Sequence, residues 1–331
     1  MTATTAEFEP SYLRLHRSGE LARRAAELDE FLAGCRLCPR DCAVDRRRDE
    51  IGFCRSGRRA IVSAHAPHLG EEPPLAGTRG VGNIFFANCT MRCAYCQNHE
   101  ISQNWRQERH RAVTPGRLAE IMLELQGRGC HSIGLVSPTH FLPQVVEALG
   151  LAAEGGLRLP LVYNTNAYDA VEALRRLEGV VDIYLPDLKY ADPAAAWEYS
   201  RTRDYPQHAR AAIQEMHRQV GARPVFADGL LRRGLVVRHL VLPNDQGQSG
   251  ETLRWIREEL GPAVLLSVMS QYYPTHRAHR HALLNRPLDP GEYELVLRLV
   301  EELGFEEGWI QTFDSPDSYR PDFSDRRHPF G

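Results

Sequence analysis

From Gly82 onward the chain alternates short apolar runs with longer segments whose apolar residues recur every three or four positions. The short runs are Gly82 to Ala87, Ile133 to Val136, Leu161 to Asn164, Val181 to Leu185, Leu235 to Leu242 and Val264 to Met269. They predict strands, because near-continuous apolar runs of this length suit strands covered on both faces. The amphipathic segments near 115–128, 141–154, 168–178, 208–220 and 249–260 predict helices between them. Thr114-Pro115 supplies a cap followed by a first-turn proline, and Asp169 and Ser249 stand near two other helix starts. Such alternation predicts a parallel sheet. Six strand–helix units are too few to close an eight-stranded barrel.

Both flanks read differently. Residues 1 to about 33 predict a helical lead-in, with Leu13, Leu21, Leu28, Phe31 and Leu32 among many charges. Cys35 to Cys54 then form a polar, Gly- and Pro-punctuated stretch that needs metal rather than a hydrophobic core to organise it. Ala66 to Gly82, rich in Pro and Gly, predicts a loop into the main domain. After the last strand, a helix near 290–304 and a tail containing Trp309, Ile310 and Phe313 are expected to close the base or edge. The expected division is 1–80 for the lead-in and cysteine knuckle, 81–280 for a partial barrel and 281–331 for a short C-terminal extension. There is no internal repeat.

The 331 residues are 43% hydrophobic and 25% charged, as in an ordinary globular protein. A net charge of −3 gives no electrostatic footprint for nucleic acid. No apolar run of about 18 residues spans a membrane. The N-terminus has neither the basic start nor the apolar centre of a signal peptide, so a cytoplasmic location is expected. In that reducing compartment the eight cysteines read as metal ligands before disulfides. Cys130, alone before an apolar strand, reads as a small buried hydrophobe.

The most informative stretch follows the first strand. Ala-Asn-Cys-Thr-Met-Arg-Cys-Ala-Tyr-Cys-Gln-Asn places Cys89, Cys93 and Cys96 in a C-x3-C-x2-C array. Three thiolates on one loop can hold three irons of a cubane and leave the fourth open, whereas structural zinc takes four ligands. Half of a zinc site, or inert buried thiols, are the alternatives. Arg92, Gln97 and Asn98, interleaved without apolar period, argue against the second. The loop resembles the signature of the radical S-adenosylmethionine (SAM) superfamily, including the aromatic Tyr95 before its third cysteine. The resemblance implies an α/β fold with a partial (β/α)6 TIM-like barrel. It also implies a [4Fe–4S] cluster on Cys89, Cys93 and Cys96 as the catalytic centre, whose free iron takes SAM.

Strand ends test this independently, since ligands of parallel α/β folds bind there. Strand two runs into Ser137-Pro138-Thr139-His140, strand three ends in Asn164-Thr165-Asn166, and strand four in Asp187-Leu188-Lys189. Strand five carries Arg238 and strand six ends in Met269-Ser270-Gln271-Tyr272. A zwitterionic nucleoside needs such a mixture of donors and acceptors. These strings resemble the activating enzymes of glycyl-radical enzymes, the pyruvate formate-lyase activating enzyme among them, over roughly residues 80 to 275. The match is closest to a branch with an N-terminal Cys-Arg-Leu-Cys-Pro-Arg knuckle. The resemblance implies that Tyr95, Asn164, Asn166, Asp187, Lys189, Arg238 and Gln271 bind the cofactor. Ser137 and Thr139 stand where the superfamily often has Gly-Gly-Glu, so their oxygens, or backbone carbonyls, would hold its ammonium. Asn164 replaces an acidic residue of the pyruvate formate-lyase activator. Asp187 and Lys189 could equally pair with each other. The loop Tyr272 to His281 reads as solvated and basic, with a substrate-facing role as the alternative.

Cys35, Cys38, Cys42 and Cys54, spaced C-x2-C-x3-C-x11-C, can close a zinc site or hold an auxiliary iron–sulfur cluster, zinc being preferred on the short first loops. The resemblance implies reductive cleavage of SAM to a 5′-deoxyadenosyl radical, with flavodoxin or ferredoxin as electron donor. The expected target is a glycine on a partner glycyl-radical enzyme. The alternative is a small molecule or peptide modified directly. A non-catalytic iron–sulfur or zinc scaffold is the reading from another class, and it leaves the polar strand ends without a purpose.

Overall fold

The computed structural model describes residues 8–313, 322–323, 325–326 and 329. The first seven residues of the predicted lead-in, and most of the extension beyond Phe313, lie outside the described residues. Strands are β1 (Ala60–His68), β2 (Val81–Phe86), β3 (Ala112–Val113), β4 (Ser132–Val136), β5 (Leu161–Thr165), β6 (Ile183–Pro186), β7 (Val225–Ala227), β8 (Leu230–Leu240), β9 (Leu265–Met269) and β10 (Gly308–Ile310). They form one ten-stranded sheet in the order β10-β9-β8-β6-β5-β4-β2-β1-β3, with β7 beside β8. The six predicted strands are β2, β4, β5, β6, β8 and β9, and all pair in parallel. The chain is therefore an α/β protein with a mostly parallel, unclosed sheet, a partial barrel of the expected kind.

The edges carry strands that the pattern left unread. β1 runs antiparallel to β2; no element is predicted for residues 60–65, and Ala66 to His68 open the stretch expected as a loop. Its run Ala60 to Ala66 mixes Ser and His with small apolar residues, so period alone did not mark it. β10, three residues around Trp309, extends the parallel run beyond β9, which makes the tail an edge strand. Beyond it Phe323 returns to pack edge-on against Phe85, ring centroids 5.7 Å apart, and Arg326 pairs with Glu108 at 2.9 Å.

The helices follow the caps. Thr114 Oγ1 accepts from the Arg117 amide to start Pro115–Gly127, and Asp289 with Glu292 makes a capping box on Pro290–Leu303. The helix expected near 168–178 is only Val171–Arg175, because Asp169 is drawn into the core. There its carboxylate accepts from Tyr163 OH at 2.7 Å and Thr165 Oγ1 at 2.6 Å. Helix Pro193–Ser200 went unread, although Asp192 caps it through the Ala194 and Ala195 amides. The lead-in folds as Ser11–Arg17 and Glu20–Ala33 and packs on helix Leu142–Glu154. Cys130 is buried. Inside the barrel Gly134 is required, since a Cβ would lie 2.1 Å from the Asn83 side-chain oxygen. Among the described residues no helix is long and apolar enough to cross a membrane.

Candidate functional site

The cysteine loop leaves the C-terminal end of β2. Two left-handed residues, Asn88 (φ 70°) and Arg92 (φ 69°), shape the turns that carry Cys89, Cys93 and Cys96 into one cavity of about 200 Å³. Tyr95, Ser137, Asn164, Asn166, Asp187, Lys189, Arg238 and Gln271 line the same cavity. Residues separated by up to 182 positions are gathered here because parallel strands all discharge their loops at one end.

Each thiol has a polar neighbour. Asn166 Nδ2 lies 3.4 Å from Cys89 Sγ, Ser200 Oγ donates to Cys93 Sγ at 3.0 Å, and Ser102 Oγ lies 3.3 Å from Cys96 Sγ. Hydrogen bonds to sulfur favour the electron-rich thiolate that iron binds. Burial pushes the Cys93 and Cys96 thiols up, Cys96 to about 12, while Lys189 acts in the opposite sense on Cys93. For Cys93 and Cys96 burial thus favours the protonated thiol, and a metal bound there would have to displace that proton. Three sulfurs on one cavity, each with a polar neighbour, fit a three-ligand iron–sulfur cluster by donor chemistry.

Lys189 Nζ meets Asp187 Oδ2 at 2.7 Å, and both stay partly exposed to the cavity. Burial works against the ammonium, but Asp187 and the neighbouring thiols outweigh it and hold its pKa above the ordinary lysine value. Tyr95 is buried with its ring edge-on to Tyr190 and Tyr272, forming an aromatic wall. Tyr190 continues it to Ser200 through a 2.8 Å hydrogen bond.

Three expected residues behave differently. Thr139 does not line the cavity: the left-handed turn at Ser137 (φ 55°) sends its hydroxyl into the core, 3.5 Å from both Thr165 Oγ1 and Tyr163 OH. Asn166 lines the cavity, but its amide group serves the loop, contacting Cys89 and donating to Thr90 Oγ1 at 3.2 Å. The Arg238 guanidinium is held by Glu71 and Glu72, with Nε 2.8 Å from Glu72 Oε1. Burial alone would raise the Glu71 carboxyl, but Arg238, His68 and Asn83 overcome it and hold it near 2. These two glutamates were missed because they come from the Gly- and Pro-rich stretch read as a loop. They line a second cavity of about 340 Å³ that shares Asn164, Arg238 and Gln271 with the first. Ser200 was missed with its helix. The loop after Gln271 is not merely solvated: Arg277 donates its amide to the Ala94 carbonyl at 2.9 Å and its guanidinium to that of Arg92, so it buttresses the cysteine loop.

The model of the radical SAM superfamily matches residues 83–230. An uncharacterized protein of Methanocaldococcus jannaschii is 30% identical over 275 residues, 81% of this chain and 74% of its own. Among solved structures, a radical SAM methyltransferase from Sphaerobacter thermophilus is 14% identical with a TM-score of 0.49, over 70% of this chain and 66% of its own. HydG, a maturase of the [FeFe]-hydrogenase, is 11% identical with a TM-score of 0.48, over 96% and 69%. Streptococcus suis SuiB bound to S-adenosylmethionine is 12% identical with a TM-score of 0.45, over 68% and 48%, so this chain spans about half of SuiB. The family's cofactors are a [4Fe–4S] cluster and SAM, and the chain belongs to the radical SAM superfamily.

Proposed function

We propose that Cys89, Cys93 and Cys96 hold the [4Fe–4S] cluster and that the adjoining cavity binds SAM for hydrogen-atom abstraction from a substrate in the barrel. The observation that carries this reading is the single cavity shared by the three thiols and the strand-end residues Asn164, Asp187, Lys189 and Gln271. When bound, the cluster and SAM supply a one-electron cleavage that yields methionine and a 5′-deoxyadenosyl radical. The chain's own residues bind, orient and shield. Lys189 offers its ammonium to the cofactor carboxylate, exchanging Asp187 for it in part. Ser137 and the carbonyls around it offer acceptors to the cofactor ammonium. Ser200 and Asn166 fix the Cys93 and Cys89 side chains. The Tyr95–Tyr190–Tyr272 wall excludes water from one side, which protects a radical from quenching.

The target reading with the longest support in the residues is a glycine on a partner glycyl-radical enzyme, through the Asn164-Thr165-Asn166 and Asp187-Leu188-Lys189 strings. A second reading, a small polar molecule, is favoured by the cavity of about 340 Å³ beside the first. Cys89 to Cys96 should assemble the cluster on anaerobic reconstitution, and SAM with dithionite should then yield 5′-deoxyadenosine. A fully loaded protein that binds SAM and yields none would overturn the reading. A glycyl-radical spectrum on a supplied partner would select the first target, and deuterium passing from a small molecule into 5′-deoxyadenosine the second.

A further inference from the structure

Besides the buried Cys130, the reaction above leaves four thiols unused. Cys35, Cys38, Cys42 and Cys54 line one small enclosed pocket. The backbone is wound tightly around it, with the Cys35 amide on the Val44 carbonyl at 2.9 Å and the Ala43 amide on the Cys35 carbonyl at 3.2 Å. Gly52 is obligatory there, because a Cβ would lie 2.8 Å from Cys42 Sγ. Arg46, fully buried, donates to the Gly57 carbonyl and reaches to within 3.8 Å of Cys35 Sγ. Such a polar segment needs a bound inorganic centre to hold its shape.

Zinc would bring the four sulfurs to within about 2.3 Å of one point, whereas a cubane gives each of its irons a thiolate of its own. The contacts between the knuckle and the Cys89–Cys93–Cys96 loop argue for the redox-active centre.

The knuckle is also wired to that loop. Phe53, next to Cys54, is sandwiched between the guanidiniums of Arg40 at 3.7 Å and Arg92 at 4.5 Å. Arg92 lies between the loop cysteines and donates back to the Phe53 carbonyl. Arg40 lies between Cys38 and Cys42 and donates to the Thr90 carbonyl at 3.1 Å. His140, on the knuckle pocket, hydrogen-bonds the Ala87 carbonyl at 2.8 Å. The outer face is cationic: residues 35–59 hold eight arginines against Asp41, Asp45, Asp49 and Glu50, and Arg36, Arg48, Arg55, Arg58 and Arg59 are exposed.

We propose that Cys35, Cys38, Cys42 and Cys54 hold a second four-iron cluster, and that the knuckle is the port through which an acidic, low-potential one-electron carrier feeds the Cys89–Cys93–Cys96 loop. The port rests on the reading of that loop as a cluster site. Electrons balance simply. The carrier would lose one electron, the knuckle iron would gain it and pass it across the Arg40–Phe53–Arg92 contact to the iron held by Cys89, Cys93 and Cys96, and cleavage of the cofactor's S–C5′ bond to methionine and a 5′-deoxyadenosyl radical would consume it. No bond or proton changes in the knuckle.

The test is metal counting on the chain with Cys89, Cys93 and Cys96 all changed to Ala, reconstituted anaerobically with iron and sulfide. About four irons, no zinc and an electron-paramagnetic signal on dithionite reduction are expected, by the four-iron stoichiometry. One zinc and no iron would overturn the second cluster. If this variant instead keeps all the iron of the unaltered chain, the loop reading fails and the knuckle cluster stands. For the port, Arg36→Glu/Arg55→Glu/Arg58→Glu should slow reduction of the bound iron by reduced flavodoxin roughly tenfold or more at low salt, while dithionite works as before. Equal rates with flavodoxin would overturn the port.

Discussion

Replacing Lys189 by Ala separates cofactor recognition from cluster assembly. The Lys189 side chain is 15% exposed and its ammonium sits 2.7 Å from Asp187, itself 23% exposed, on the wall shared with the three thiols. Two effects then add. The cofactor carboxylate loses a charge-assisted contact worth about 1.5–3 kcal/mol, or roughly ten- to a hundred-fold in Kd. Asp187 also remains as an uncompensated anion facing that carboxylate. Lys189→Ala should therefore raise Kd by close to a hundred-fold, the large end of this range, and Lys189→Ala/Asp187→Asn should recover part of the loss. Asp187→Asn alone should bind as tightly as the unaltered chain or tighter, because the lysine is released. Equilibrium dialysis of SAM against the oxidised, reconstituted protein reads all four, with iron content measured alongside. Iron should not change, since no cluster ligand is touched. Unchanged SAM affinity in Lys189→Ala with normal iron would refute the reasoning and leave the lysine as the partner of Asp187 only.

Cys93→Ala should abolish 5′-deoxyadenosine formation, and full production by that variant would sink the ligand assignment. Ser200→Ala removes the 3.0 Å donor to Cys93 Sγ; donors to sulfur stabilise the reduced state, so a redox titration should find a more negative midpoint potential. Arg238→Met leaves Glu71 and Glu72 buried without their cation, and breaking such a pair costs about 3–5 kcal/mol, visible as a lower Tm. The pH sign of that loss can be checked. With Arg238 present, Glu71 has a depressed pKa near 2 and contributes stability above the ordinary value of 4.5 that fades as pH falls towards 2. Without it, burial is left to push the Glu71 carboxyl up, the folded state binds more protons than the unfolded one, and stability should rise as pH drops from 7 to 5. A variant equally destabilised at both pH values would contradict the carboxylate pairing.

The sequence carried what is local or periodic. Apolar runs such as Ile133 to Val136 and Leu161 to Tyr163 must be covered on both faces, so they fixed the parallel strands. The spacing of Cys89, Cys93 and Cys96 on one loop set the expected ligand count without any tertiary knowledge. Strand ends named Asn164, Asp187, Lys189 and Gln271, because polar groups leaving an apolar strand must emerge at the barrel mouth. Only the tertiary structure decided what depends on side-chain direction or on pairing at long range. Thr139 shares its segment with Ser137, yet one left-handed residue turns it into the core. Glu71 and Glu72 lie in a stretch with no period, and nothing local foretells that they meet Arg238 more than 160 positions away. Ser200 reaches Cys93, and the knuckle reaches the cysteine loop through Phe53, by the same kind of closure. Period and propensity act over a few residues, whereas a buried charge or a sulfur lone pair takes whichever partner the fold brings within about 3 Å, and that choice is made by packing.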